Sequence, residues 1–340
     1  MKEIIDSINS KLTGNVEEDT KFLLTQLDQY RDNKEVSDEL YKILFALLPK
    51  DTQDKFISNV NQQKFEERLS EIQELVSDRQ YERALKYLDM SIQKIDKVYE
   101  DEKNEYKTFH STFEAYLYAS TRDKNQTKFV TASKIDFGTF HKFRGIILNE
   151  LKRFEEAKED FIESLKWNPM DFEAIFGYTR SLLELKEYEE FLKVNLDTLK
   201  IAYTNYAIAS CFHNIGLYYM AKETKADDMT AYQIISYSIS FQETEYAYRD
   251  LNTICEKYNL PKKLADGKDV LKTLKKEKID KAPNFDLVQT LVNMARSFIG
   301  VNDRFALDVF RKIYQLTHDE ITAQYIKAGE QAIKAQQSNK

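Results

Sequence analysis

Leu148–Lys166, LNELKRFEEAKEDFIESLK, returns 34 residues later as Leu182–Lys200, LLELKEYEEFLKVNLDTLK. Eight of the nineteen positions are identical, where chance supplies about one, and self-similarity at a fixed period of this length marks a stacked-repeat protein. One such unit cannot bury its apolar face alone, so neighbouring units must bury it for one another.

A finer pattern widens the repeat. A small residue is followed seven positions later by Ser or Thr and then an aliphatic residue. It reads Ala84…Ser91-Ile92, Ala157…Ser164-Leu165 and Ala231…Ser238-Ile239, with Phe191…Thr198-Leu199 as a degenerate copy. Three of these copies carry an aromatic three positions earlier, at Tyr81, Phe154 and Tyr188. Seven residues make about two helical turns, so the set shares one helix face. A second helical pattern precedes the clearest copies: Phe140, Phe143, Ile147 and Leu151, then Ile175, Phe176, Tyr178, Leu182 and Leu185. The unit is therefore helix A, a short turn and helix B. The small Ala157 of helix B is expected to meet a neighbouring helix closely near Gly145.

Composition agrees with an all-helical reading. The 340 residues include only 8 glycines and 4 prolines, too few for the reversals of a turn-rich β fold or a doubly wound α/β fold. Charged residues are 31% and hydrophobic residues 42%, and Phe and Tyr number 21 each. That balance suits a folded chain with many helix–helix contacts. The expected fold is all-α, a right-handed α-solenoid with atypical helical ends.

On these residues the chain resembles the tetratricopeptide repeat family. In Gly138–Asp171 the likeness rests on Gly145, Phe154, Ala157, Phe161 and Pro169. In Phe172–Asn205, Thr179, Phe191 and Tyr203 stand where the family has glycine, alanine and proline. Tyr206–Phe241 carries an insertion near KETKADD, and Phe65–Lys97 supplies a fourth copy. The likeness is good over about 104 residues (138–241) and weaker over 65–258. The runs KWNP, FEAYLY (Phe113–Tyr118) and NIGLYYMA (Asn214–Ala221) are also similar to a group of uncharacterised bacterial proteins of this type.

The expected organisation is an N-terminal helical cap at 1–60, a repeat region at 61–258 and a helical extension at 259–340. The cap reads as helices over Lys2–Leu12, Glu18–Arg31 and Val36–Leu48, with another from Thr52. Pro261 and Pro283 mark helix starts or breaks, and Asn284 and Asp286 are candidate N-caps for a helix to about Ile299. The tail AIKAQQSNK is expected to fray.

Motif chemistry is sparse. No two glycines lie closer than seven residues, so GxGxxG, GxSxG and P-loop patterns are absent. His110, His141, His213 and His318 are scattered, without HExxH or CxxC, and no metal or cofactor is expected. Ser91–Lys94 matches Ser-x-x-Lys, but Ser91 already has a repeat-packing role. Cys211 and Cys255 suggest reduced thiols in a cytoplasm. The N-terminus has no continuous apolar stretch of a secretory signal, and the longest apolar run, Ile43–Leu48, is far short of a membrane span. The net charge of −7 disfavours a dedicated nucleic-acid binder. Lys262–Lys281 is the exception, with eight lysines and four acids, and reads as an amphipathic helix on Val270, Leu271, Leu274 and Ile279.

The resemblance implies that the A helices line a groove for a protein or peptide. Its groove positions fall on Lys142, Asn149 and Glu150, then Phe176, Arg180 and Glu184, then Asn214 and Tyr218. Their side chains are expected to stand clear of the helix seams. Of the family's C-terminal-carboxylate clamp only Lys142 is present; Ile146, Gly177, Ala207 and Cys211 hold the other positions. The sequence thus points to a non-catalytic binding scaffold. The alternative is a peptide-sensing regulator like the bacterial peptide-pheromone receptors of this repeat class, with an enzyme a poor third.

Overall fold

A computed structural model describes residues 2–30, 33–92, 97–122 and 125–338. They form seventeen helices and two short strands, divided between two compact units, 1–71 and 72–340. The first unit holds α1 (Lys2–Asn9), α2 (Val16–Gln29), α3 (Lys34–Ala46) and the start of α4 (Lys50–Ser77). These are the four helices expected near the N-terminus, although Arg31 lies outside the described residues. Asn15 and Asn33 cap α2 and α3 through their side-chain oxygens. Ile8, Leu23, Leu27, Val36 and Leu40 form this unit's own core.

The second unit continues with α5 (Tyr81–Ile92), β1 (Asn104–Lys107), α6 (Thr112–Thr121), β2 (Phe129–Ala132), α7 (Phe137–Glu150), α8 (Phe154–Trp167), α9 (Phe172–Glu184) and α10 (Tyr188–Leu199). It ends with α11 (Asn205–Met220), α12 (Lys225–Phe241), α13 (Glu245–Tyr258), α14 (Gly267–Lys276), α15 (Phe285–Phe298), α16 (Asp303–Thr317) and α17 (Glu320–Ser338). From α7 to α13 each helix packs on the next; α7 also packs on α5 and α9, α14 on α12, and α15, α16 and α17 in sequence. As expected, Asn284 caps α15 and Pro261 follows the left-handed residue Asn259 that ends α13. The tail expected to fray is helical to Ser338; Asn339 and Lys340 lie outside the described residues, as does Lys94 of the Ser91–Lys94 match.

The turn inside each hairpin is the same object four times. Arg79, Lys152, Lys186 and Glu223 have φ of 57°, 60°, 62° and 58°, each two residues before a second helix begins. In three of them the following N–H closes a Schellman bond: Gln80 to Leu75 O (2.8 Å), Arg153 to Leu148 O (2.8 Å) and Glu187 to Leu182 O (2.9 Å). The glycine-poor chain therefore makes these turns with charged residues, at a cost of about 1–2 kcal/mol each.

Its glycines serve close packing. The Phe161 ring lies between Gly145 of α7 and Gly177 of α9; a Cβ would stand 2.9 Å from it at Gly145 and 2.2 Å at Gly177. The same device returns where Gly216 of α11 receives Ile235 of α12, with a Cβ at 2.4 Å. Phe161 and Ile235 each sit four residues after the small residues Ala157 and Ala231. The side chain found against Gly145 is that of Phe161, one turn along the helix from Ala157. Ala157 is fully buried, but Phe161 fills the notch.

The fold is predominantly helical rather than purely so. The insertion between α5 and α7 places β1 beside β2 in parallel, Asn104 opposite Phe129, with α6 as the crossover that parallel strands require. Two four-residue strands carry too little alternation to be read from sequence. α6 then ties distant parts of the unit together. Phe113 meets Tyr203 edge-on at 4.9 Å, Tyr116 meets Phe298 at 4.8 Å, and the Lys312 ammonium sits 4.8 Å above the Phe113 ring. Buried Glu114 accepts hydrogen bonds from the His110 N–H (2.9 Å) and the Tyr203 hydroxyl (3.1 Å). The single tryptophan, Trp167 of KWNP, lies between the rings of Tyr99 and Phe137.

Gly177→Ala should lower the melting temperature, because overpacking typically costs ~1–3 kcal/mol against a helix-propensity gain of about 1 kcal/mol. Adding Phe161→Leu should recover part of the loss in thermal denaturation followed by circular dichroism. Lys186→Gly should instead raise the melting temperature by removing a left-handed side chain.

Candidate binding face

The first helices of successive hairpins, α7, α9, α11 and α13, are stitched side to side by polar and aromatic contacts. The Asn149 amide donates to Gly177 O (3.0 Å) and its oxygen accepts from the Ser181 hydroxyl (2.8 Å). Glu150 and Arg180 form an ion pair at 2.7 Å. Phe176 meets Tyr206 edge-on at 5.9 Å. His213 contacts Asp250 at 2.9 Å and packs against the Tyr246 ring. Burial opposes the Asp250 carboxylate, but the neighbouring His213 and Arg249 hold its pKa below the usual range.

Several sequence-predicted site residues belong to these seams, which corrects the expectation that all stand clear of them. Asn149 is 2% exposed and Lys142 is buried. Lys142 pairs with Asp171 and Glu173, both at 2.9 Å. Burial works against its ammonium, and the two carboxylates outweigh it, so its pKa lies above the ordinary lysine value. Asn214 is half-buried and donates to Thr179 Oγ1 (3.3 Å) and Asn195 Oδ1 (3.0 Å). Buried Tyr218 donates its hydroxyl to Glu189 at 3.2 Å, with the Lys222 ammonium 4.4 Å from its ring centre. The physical reason is spacing. Position in a turn fixes the side of a helix, and one side holds both the seam with the next helix and the surface beside it.

What stands open is a smaller set. Glu150, Arg180 and Glu184 are exposed and Phe176 is half-buried. Tyr206, which the sequence reading passed over, is 48% exposed. It lies 34 residues after Phe172, so the period itself carried the signal. Together they make a strip with an apolar aromatic centre and both signs of charge beside it, chemistry suited to side-chain anchors and peptide groups.

Asn195 was also missed, and it explains the degenerate hairpin. Thr179 and Asn195 occupy the positions of Gly145 and Phe161 one period on. Both are buried; Asn195 donates to Phe191 O (2.8 Å) and accepts from Asn214. The bulk has moved one turn back along helix B, from Phe161 in the sequence Ala157…Phe161 to Phe191 in Phe191…Asn195. A satisfied polar cluster takes the place of the glycine notch.

The histidines have structural surroundings. His141 lies between Asp160 Oδ1 and Lys97 Nζ, each at 2.8 Å; His110 Nε2 lies 3.3 Å from Thr139 Oγ1; His318 ends α16 in a left-handed conformation. Among the described residues, no three His, Cys, Asp or Glu side chains group as metal ligands, and no helix is long and apolar enough to cross a membrane. Cys211 and Cys255 are buried free thiols, and burial pushes both pKa values up. In the basic segment, α14 buries Val270 and Leu274 while Leu271 is exposed; Lys262, Lys272 and Lys276 pair with Glu256, Asp269 and Glu277. Compared with known proteins, the chain matches no family model and no curated sequence.

Asn149→Ala should destabilise the fold by about 1–3 kcal/mol, since it leaves the buried partners of its amide unsatisfied. Arg180→Ala, which removes an exposed ion pair, should change stability by less than about 1 kcal/mol. Thermal melting of the two variants side by side checks the division between seam and open strip.

Proposed function

We propose that the chain is a non-catalytic scaffold that binds a protein or peptide. In this reading the hairpins stack as a right-handed solenoid of tetratricopeptide-like repeats, and the first helices line its groove. The recurrent left-handed turn, the glycine notches that receive Phe161 and Ile235 and the helix-on-next-helix packing support that arrangement. The observation that carries the function is the open strip of Phe176, Tyr206, Arg180, Glu150 and Glu184, an exposed aromatic centre on helices that are otherwise stitched together. No nucleic acid, membrane or cofactor enters this reading, and the setting proposed is the cytoplasm.

A second reading, a regulator that senses a peptide, draws on the first compact unit. Residues 1–71 have a core of their own, as a separate effector module would.

The test is co-purification from the native cell extract followed by mass spectrometry. The double variant Tyr206→Ala, Arg180→Ala should keep its melting temperature and lose the partner by roughly thirtyfold or more in affinity, the effect of removing interface anchors worth about 2 kcal/mol. Retained binding would move the site elsewhere. Robust substrate turnover by the purified protein would overturn the scaffold reading.

A further inference from the structure

A cleft of about 530 Å3 lies between α12 and the start of α14. None of the eight residues proposed for the groove borders it, nor does Tyr206. Tyr237 of α12 lines it together with Leu264, Ala265, Val270 and Leu271. Leu264 and Leu271 are 38% and 52% exposed, so two large apolar side chains are left uncovered at one place, as on a surface that another molecule covers.

One wall is neutral and the other basic. α12 has no charged residue from Met229 to Phe241. Lys262–Lys276 holds six lysines and two aspartates in a chain of net charge −7. Both aspartates are committed: Asp266 caps α14 by accepting from the Lys268 N–H at 2.8 Å, and Asp269 pairs with Lys272 at 3.3 Å. Lys268, which lines the cleft, and Lys275 make no ion pair with another side chain among the described residues. Helical spacing puts Lys268, Leu271, Lys272 and Lys275 on one face of α14, and all four are exposed. The charge left uncompensated beside the two leucines is therefore positive.

We propose that this cleft docks an acidic amphipathic helix of a partner protein, with its apolar side chains on Leu264 and Leu271 and its carboxylates at Lys268 and Lys275. The three hydroxyls that line the cleft are spent inside the molecule: Ser236 donates to Tyr232 O, Tyr237 to Ala282 O and Ser240 to Tyr237 O. An occupant has to satisfy its own backbone, as a helix does. Lys268 and Lys275 stand two turns apart, roughly 10 Å at 1.5 Å per residue, which matches carboxylates at i and i+7 of the incoming helix. A bilayer is flat and would not follow leucines that line a cleft. A nucleic-acid base would need a free ring to stack on, and Tyr237 is already packed edge-on against Phe212 at 4.7 Å and Phe241 at 5.0 Å. The surface is separate from the strip on the first helices and does not rest on that reading.

The experiment is selection of a displayed library of random sixteen-residue peptides on the full chain, followed by fluorescence-anisotropy titration of the selected peptide made synthetically. The expected result is a family rich in Asp and Glu, with apolar residues at helical i, i+3 and i+4 spacing, whose binding weakens as salt rises. Lys268→Glu with Lys275→Glu should weaken that binding roughly tenfold or more, and should regain it when the acids of the peptide are replaced by lysine, a gain that a misfolded variant could not give. Leu271→Asp should weaken binding while circular dichroism stays helical. Tyr206→Ala with Arg180→Ala should leave it unchanged. The proposal is overturned by a selected family without the acidic signature, by binding indifferent to the lysine pair and to Leu271, by loss of binding in the Tyr206 and Arg180 variant, or by sedimentation of the chain with phosphatidylserine vesicles that depends on the same lysines and leucine.

Discussion

The second compact unit is organised around one ring. Phe161 reaches from α8 into the space between α7 and α9, and it can do so only because Gly145 and Gly177 present bare backbone there. Burying such a side chain stabilises by about 1.5–3 kcal/mol, but the geometric effect is the larger one. The ring sets how near three helices may come, and with them the phase of the hairpin that follows. Where the chain drops this device, in the next hairpin, it does not leave a void. Phe191 supplies the bulk one turn earlier and Thr179, Asn195 and Asn214 fill the remainder with mutual hydrogen bonds.

The same economy governs the face of the first helices. Helices that lie this close need their polar groups satisfied across the seam, and Asn149, Lys142 and Asn214 do that work. A polar residue at a groove-like position can therefore be structural glue. What distinguishes the two roles is whether its hydrogen-bonding capacity is already used inside the molecule. By that measure Asn149, bonded on both its amide atoms and 2% exposed, is spent, while Arg180, exposed with its one ion pair to Glu150, and exposed Tyr206 keep donors to spare.

Much of the fold was legible in the sequence because its signals are local and periodic. The 34-residue echo located α7 to α10, the glycine count argued against turn-rich folds, and Asn284 marked the start of α15. The hairpin turns were harder, since Lys152, Lys186 and Glu223 carry none of the residue preference that usually betrays a left-handed cap. The strands were illegible: NEYK and FVTA are four residues each and pair only because α6 returns the chain alongside itself. The candidate site was legible by half. Periodicity gave the helix side, but whether Asn149 meets Gly177 or solvent depends on the neighbouring helix, which the local pattern does not encode. Tyr206 could have been found from Phe172 by counting one period.

A row of hairpins that touch only their neighbours unravels from its ends, because each unit's opening is nearly independent of the rest. α6 changes that connectivity. Through Phe113, Glu114 and Tyr116 it joins Tyr203, Phe298 and Phe305, and Asn205 bonds the Gln315 carbonyl across 110 residues of chain. The C-terminal helices α15 and α16 are thereby moored to the middle of the unit as well as to each other. Such long-range closure slows folding, since distant segments must meet before the contacts form. In return it should make opening cooperative, with the backbone amides of α15 and α16 sharing the protection of α9 and α11 against hydrogen exchange, where an unmoored end would exchange first.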